Sequence, residues 1–231
     1  MKKSKAILMA LCAVLLVAAS VMGTLAYLTS TDTVVNTFTV GNVQIKLDEA
    51  KVDANGKALA SGARWHPTEN DPEQEYHLLP GHTYNKDPMV TVKAGSDKSY
   101  VRMLVTVTFD TPLEDSWVGT KLDGIFTGYS ASDWPREGAP EVTKNGDGKV
   151  TSIEYEYRYS AIVEGKKNGA NADVALPALF TKIEIPNTYT NEDIAALNGM
   201  KITVVAQAIQ ADGFNGEVDA AWRAFSATSA T

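Results

Sequence analysis

Apolar residues recur at every second position through much of this chain, the pattern of half-buried β-strands. The clearest run sets Val101, Met103, Val105, Val107 and Phe109 on one face, with Arg102, Thr106 and Thr108 on the other. Another sets Ile153, Tyr155, Tyr157 and Tyr159 against Glu154, Glu156 and Arg158. Shorter strands are predicted over Met89 to Lys93, Leu179 to Ile185 and Met200 to Ile209. Near the start, the apolar positions Phe38 and Val40 change phase to Val43, Ile45 and Leu47 across Gly41-Asn42. A slip of one residue turns a strand face outward, so these two residues predict a bulge or tight turn.

Turn-rich stretches separate the runs: Asp53 to Asn70, Asp110 to Pro140, and Asn145-Gly146-Asp147-Gly148. Helix signals are few. Thr190 can cap a helix over Asn191 to Leu197, and Val218, Ala221, Trp222 and Phe225 repeat at helical spacing. There is no internal repeat and no linker between two units. The expectation is an all-β fold over residues 27–231, a single antiparallel β-sandwich of jelly-roll type with few short helices.

The first residues follow a different pattern. Lys2, Lys3 and Lys5 precede an apolar run from Ala6 to Met22, and the small residues of Gly23-Thr24-Leu25-Ala26 follow. Residues 1–26 thus read as a secretory signal peptide, with cleavage expected between Ala26 and Tyr27. The alternative is a membrane anchor, for which a run of 17 residues lies near the lower limit. No other stretch approaches that length, so no membrane association is expected after cleavage. Leu79-Pro80-Gly81-His82-Thr83 resembles a wall-sorting string. It lies mid-chain, and Ala221 to Thr231 supplies neither an apolar tail nor a basic end.

Cleavage changes the charge. The leader carries three of the 21 basic residues and none of the 28 acidic ones, which leaves −10 on the remainder. That excess argues against nucleic acid or an anionic membrane as a partner. Cys12 lies in the leader, so the mature chain can hold no disulfide and no cysteine nucleophile. Its stability must come from its core, and about 200 residues suffice for one.

Two groups of residues offer candidate chemistry. His66, His77 and His82 lie among Glu69, Asp71, Glu73 and Glu75, so imidazole and carboxylate could together hold zinc. No HExxH is present, and an acidic solvated loop that happens to carry histidines explains the same residues. Asn145, Asp147 and Glu154 keep part of a calcium-loop register, but Thr143 stands where the first aspartate belongs. A hairpin turn at Asn-Gly-Asp-Gly is the competing explanation. Trp65, Trp117, Trp134 and Trp222 could stack on sugars or simply pack. No serine sits in a G-x-S-x-G elbow. No catalytic residue, enzyme activity or cofactor is therefore expected.

Gly23 to Thr29, followed by Asn36-Thr37-Phe38-Thr39-Val40-Gly41-Asn42-Val43, resembles the export region of the TasA/camelysin family. These are secreted proteins of Gram-positive bacteria processed by a SipW-type signal peptidase. In that family an aromatic residue after the cut, here Tyr27, leads into a Phe-x-x-Gly strand, here Phe38 to Gly41. A second block agrees: Leu79-Pro80-Gly81, Lys86-Asp87-Pro88 and Ser99-Tyr100-Val101-Arg102 resemble the family's Pro-Gly turn, next strand and Tyr-Val-Arg strand. The resemblance covers residues 20–47 and 79–107, and the rest only by its strand-rich pattern.

The resemblance implies a jelly-roll subunit of an extracellular fibre or biofilm matrix, whose N-terminal segment adds as a strand to the next subunit. Implied partners are the SipW-type peptidase, further copies of the chain as a homopolymer, and an anchoring or minor fibre protein. The assembly residues would be Tyr27, Phe38, Val40 and Gly41, with Pro80-Gly81 as a structural turn. Tyr27 to Val40 contains no Pro or Lys to blunt an edge, so it can add to an exposed sheet. It can equally be an ordinary first strand, and both hold if the strand sits at home in the monomer and exchanges in the polymer. Two other readings stay open. Camelysin relatives have been described as cell-surface metallopeptidases, although no zinc-protease motif is present here. A monomeric surface module that binds carbohydrate or a host protein is the third.

Overall fold

The computed structural model describes residues 29–32, 42–59, 62–67, 74, 76–122 and 124–229. Its strands are β1 (Thr29–Asp32), β2 (Ile45–Ala50), β3 (Arg64–Trp65), β4 (Thr83–Asn85), β5 (Met89–Val92), β6 (Ser99–Leu113) and β7 (Phe126–Thr127). They continue with β8 (Glu141–Lys144), β9 (Val150–Arg158), β10 (Lys166–Lys167), β11 (Ala170–Asn171), β12 (Val174–Ala175), β13 (Lys182–Glu184) and β14 (Lys201–Gln210). The described α-helices are α1 (Asn191–Ala196), between β13 and β14, and α2 (Val218–Ser229), after β14. The fold is all-β, and its described strand pairs are antiparallel.

The larger sheet has the order β1-β14-β6-β9-β8, and a second sheet runs β12-β5-β2-β3. A three-stranded sheet, β4-β13-β7, and the β10-β11 ribbon complete the set. Alternation explains which faces close. Val101, Met103, Val105 and Val107 of β6 are buried, as are Ile153, Tyr155 and Tyr157 of β9. They share one core with Ile45, Leu47, Val90 and Val92 from the second sheet and with Val43 just before β2. Ala206 and Ala208 of β14 lie opposite Met103 and Val101 in register, small side chains beside larger ones. β-Branched and aromatic residues suit such a pleated, half-buried surface.

Both helices form where the capping and spacing signals predict them. The Thr190 hydroxyl accepts from the Asp193 backbone N–H at 3.2 Å, while an Asp193 carboxyl oxygen accepts from the Thr190 N–H at 3.0 Å. That reciprocal pair is a capping box. In α2, Ala221, Trp222 and Phe225 are buried against the sheet's outer face. The Pro80-Gly81 turn also forms, with Gly81 at φ 72° and the His82 N–H donating to the Leu79 carbonyl. A positive φ at that place is what a type II turn requires of glycine.

Other expectations need revision. β6 runs on to Leu113, into a stretch read as turns, after a register shift against β9 between Thr108 and Leu113. The shift brings Leu113 back into the core, a task for a bulge. The strand expected over Leu179 to Ile185 shortens to β13, with Leu179, Phe180 and Ile185 buried outside it; the Leu179 N–H donates to the Pro88 carbonyl at 3.0 Å and the Ile185 N–H to the His82 carbonyl at 2.9 Å. β3 lies inside the supposed loop Asp53 to Asn70. Of the predicted bulge, Asn42 is a bend whose side-chain amide donates to the Gly95 carbonyl at 2.8 Å. Gly41 lies outside the described residues.

Candidate functional site

The N-terminal strand β1 occupies one edge of the larger sheet. It lies antiparallel to β14, with Thr29, Ser30, Thr31 and Asp32 opposite Ile209, Ala208, Gln207 and Ala206. The segment Thr-Ser-Thr-Asp contains no apolar residue, so main-chain hydrogen bonds are its natural hold on β14. Each contributes about 0.5–1.5 kcal/mol net. The opposite edge is β8, which is mostly exposed and carries Glu141 and Lys144. Lys144 pairs with Asp115 at 2.8 Å, and Lys149, at the start of β9, with Glu114 at 3.1 Å. Charges of this kind discourage a further strand. The two edges of one sheet therefore differ: one is the charged β8, the other is the short polar β1.

Of the residues tied to export and assembly, Ala26, Tyr27, Phe38, Val40 and Gly41 lie outside the described residues. The remaining candidates fall in separate places. His66 faces the Leu47 carbonyl oxygen at 2.7 Å, and His82 faces the Pro80 carbonyl oxygen at 3.2 Å. His77 is exposed, and Glu69, Asp71, Glu73 and Glu75 are not described. Among the described residues no three metal-ligating side chains gather.

Asn145 to Gly148 form the β8–β9 hairpin turn. The Asn145 N–H donates to the Lys149 carbonyl at 2.9 Å. Its side-chain oxygen accepts from the Asp147 and Lys149 N–H groups, both at 3.0 Å. That oxygen closes the turn. Glu154 sits in mid-strand, where Thr106 donates to it at 2.9 Å. The hairpin thus accounts for these residues. The four tryptophans are all buried, which is packing rather than an exposed stacking platform.

Sequence reasoning missed an ionic layer between β2, β3 and the β4–β5 connection. The Arg64 guanidinium donates to Asp48 at 2.6 Å and to Asp87 at 2.7 Å. It also donates to the backbone carbonyls of the same two residues at 2.9 and 3.1 Å. Burial works against its charge, but the bonds to Asp48 and Asp87 prevail and raise its pKa. Beside it, Lys86 and Glu49 form a buried pair at 2.8 Å. Gln74 donates to Glu49 at 3.1 Å and to the Ala50 carbonyl at 3.0 Å. Burial first, then Glu49 and Asp87, push the Tyr76 hydroxyl well above its ordinary range. Every charge here has its counter-charge, the arrangement of a structural clasp.

An open cleft of about 370 Å³ beside the Pro80-Gly81 turn is lined by Gly81, Gly124, Glu184, Ile185, Pro186 and Asn187. That lining carries one carboxylate, Glu184, and no hydroxyl, thiol or imidazole side chain. No described helix is long and apolar enough to cross a membrane. Comparison with known proteins finds no matching family model, no matching curated protein and no matching solved structure.

Proposed function

We propose that this chain is a secreted structural protein of the extracellular matrix or cell surface, a jelly-roll sandwich that polymerises by exchanging its N-terminal strand. The observation that carries the reading is the position of β1. It is the first described strand, lies at a sheet edge, and pairs with the last strand of the sheet. A polar strand held by its main chain can leave one β14 and add to another with the same bonds, the logic of β-augmentation. A SipW-type peptidase cutting between Ala26 and Tyr27 would free that segment. An anchoring or minor fibre protein would complete the assembly.

The test is N-terminal sequencing of the secreted protein with negative-stain imaging, beside a chain lacking residues 27–36. The expected result is a start at Tyr27 and filaments from the intact protein, and a folded monomer from the deletion. Filaments from the deleted chain overturn the proposal. Zinc analysis and a casein assay on the same preparation separate it from a camelysin-like peptidase. Concentration-dependent light scattering separates it from a monomeric binder.

A further inference from the structure

The outer face of the larger sheet carries a second core beneath α2, distinct from the main one. Tyr100 of β6 and Ile209 of β14 are opposite each other in register and meet Ala221, Trp222 and Phe225 of the helix. Arg102 lies under the same helix, only 8% exposed. Its guanidinium carbon is 4.3 Å from the Trp222 ring centre and 5.5 Å from that of Phe225. It donates to Gln207 at 2.7 Å and to Glu156 at 3.2 Å. Arg158 reaches from β9 to Asp219 of the helix at 2.5 Å and to Glu156 at 2.8 Å. The helix thus spans β14, β6 and β9.

The β14 residues in this contact, Gln207 and Ile209, are the register partners of Thr31 and Thr29. One short piece of β14 therefore bears β1 on its edge and α2 on its face. We infer that α2 is a latch that sets how firmly the β14 edge holds a strand, whether its own or a neighbour's. Only the neighbour's strand depends on the proposed exchange; the latch itself is a property of the monomer. Two groups keep the latch near release. The Tyr100 hydroxyl and the Trp222 indole N–H are buried with no hydrogen-bond partner among the described residues. Undocking the helix hydrates both, so they favour the open state. Opening breaks a six-residue core and leaves the main core intact, the condition for a local transition.

Hydrogen exchange on the intact secreted protein tests this. Trp222→Ala should speed exchange across Ala206 to Ile209 and Thr29 to Asp32 about tenfold or more, and leave Ile153 to Tyr157 unchanged. Tyr100→Phe, which removes one orphaned hydroxyl, should slow exchange of the same segments about threefold to tenfold. Asp219→Ala, a milder variant, should move them in the direction of Trp222→Ala. If the α2 amides lose protection while Ala206 to Ile209 keep theirs, the latch is wrong. Coupled exchange without filaments sinks the assembly reading alone; filaments without coupled exchange sink the latch alone.

Discussion

The core between the sheets and the core under α2 share strands β6 and β14 but are held in different ways. β6 sends Val101, Met103, Val105 and Val107 into the first and Tyr100 into the second. In the main core, buried polar groups find partners. The Trp134 indole donates to the Pro177 carbonyl at 2.9 Å, and the Tyr84 hydroxyl donates to the His77 carbonyl while accepting from the Leu79 N–H, both at 2.7 Å. Under α2, Tyr100 and Trp222 each bury a polar group without a partner among the described residues, and the Arg102 guanidinium lies over the Trp222 and Phe225 rings. Among the described residues, thirty buried side chains form one core and six the other. Since hydrophobic stabilisation scales with the area removed from water, the small core should open before the main one.

Mutations can break that contrast. Trp134 is fully buried in the main core, and Trp134→Ala should destabilise the whole fold by about 3–5 kcal/mol in denaturant unfolding. Phe225→Ala should shift the same transition much less, because its loss is limited to the free energy of undocking the helix. Equal shifts would erase the distinction between the two cores.

The clasp between β2, β3 and the β4–β5 connection sharpens the point. Lys86→Met leaves Glu49 buried without its counter-charge and should lower stability by about 3 kcal/mol. Adding Glu49→Leu should recover most of that loss, as removal of a whole buried pair often does. A double variant as unstable as the single one would mean that the clasp holds the fold by something other than charge pairing.

The smallest effect belongs to α1. Thr190→Ala removes the cap hydroxyl and should cost about 1 kcal/mol. The hydrogen bond from Lys121, and then one from the Thr190 backbone, hold the Asp193 carboxyl below its ordinary range. Its folded pKa is depressed, so its share of stability is present above about pH 4 and is lost as pH falls lower. A helix signal at α1 that is unchanged between pH 6 and pH 2 would contradict the capping role.

Much of the architecture was legible because it rests on local period. Met103 to Phe109 bury every second residue, and Ile153 to Tyr157 do the same. Thr190 caps the helix expected directly after it, and Ala221, Trp222 and Phe225 form the buried face of α2. The glycine of Pro80-Gly81 turns with positive φ. The irregular parts were not legible. β6 passes through a bulge into residues that look like a loop, and Leu179 and Phe180 are buried without a strand. Arg102 reads as an outward partner of Thr106 and Thr108. It is outward with respect to the main core, yet buried, because a helix from the far end of the chain covers it. Arg64 gave no signal, since Asp48 and Asp87 come to it from two other segments.

The sequence by itself determined an all-β sandwich with few short helices, since side-chain periodicity selects which face of each element can be buried. It also marked the start of the chain as the region to examine for export and assembly. Only the tertiary structure decided that Thr29 to Asp32 pair with β14 and that α2 rests on the same residues of that strand. The physical reason is that strand pairing uses backbone groups common to nearly every residue, so a polar segment carries no mark of the edge it will take. Geometry chose the edge, and with it the piece of β14 on which the strand and the helix meet.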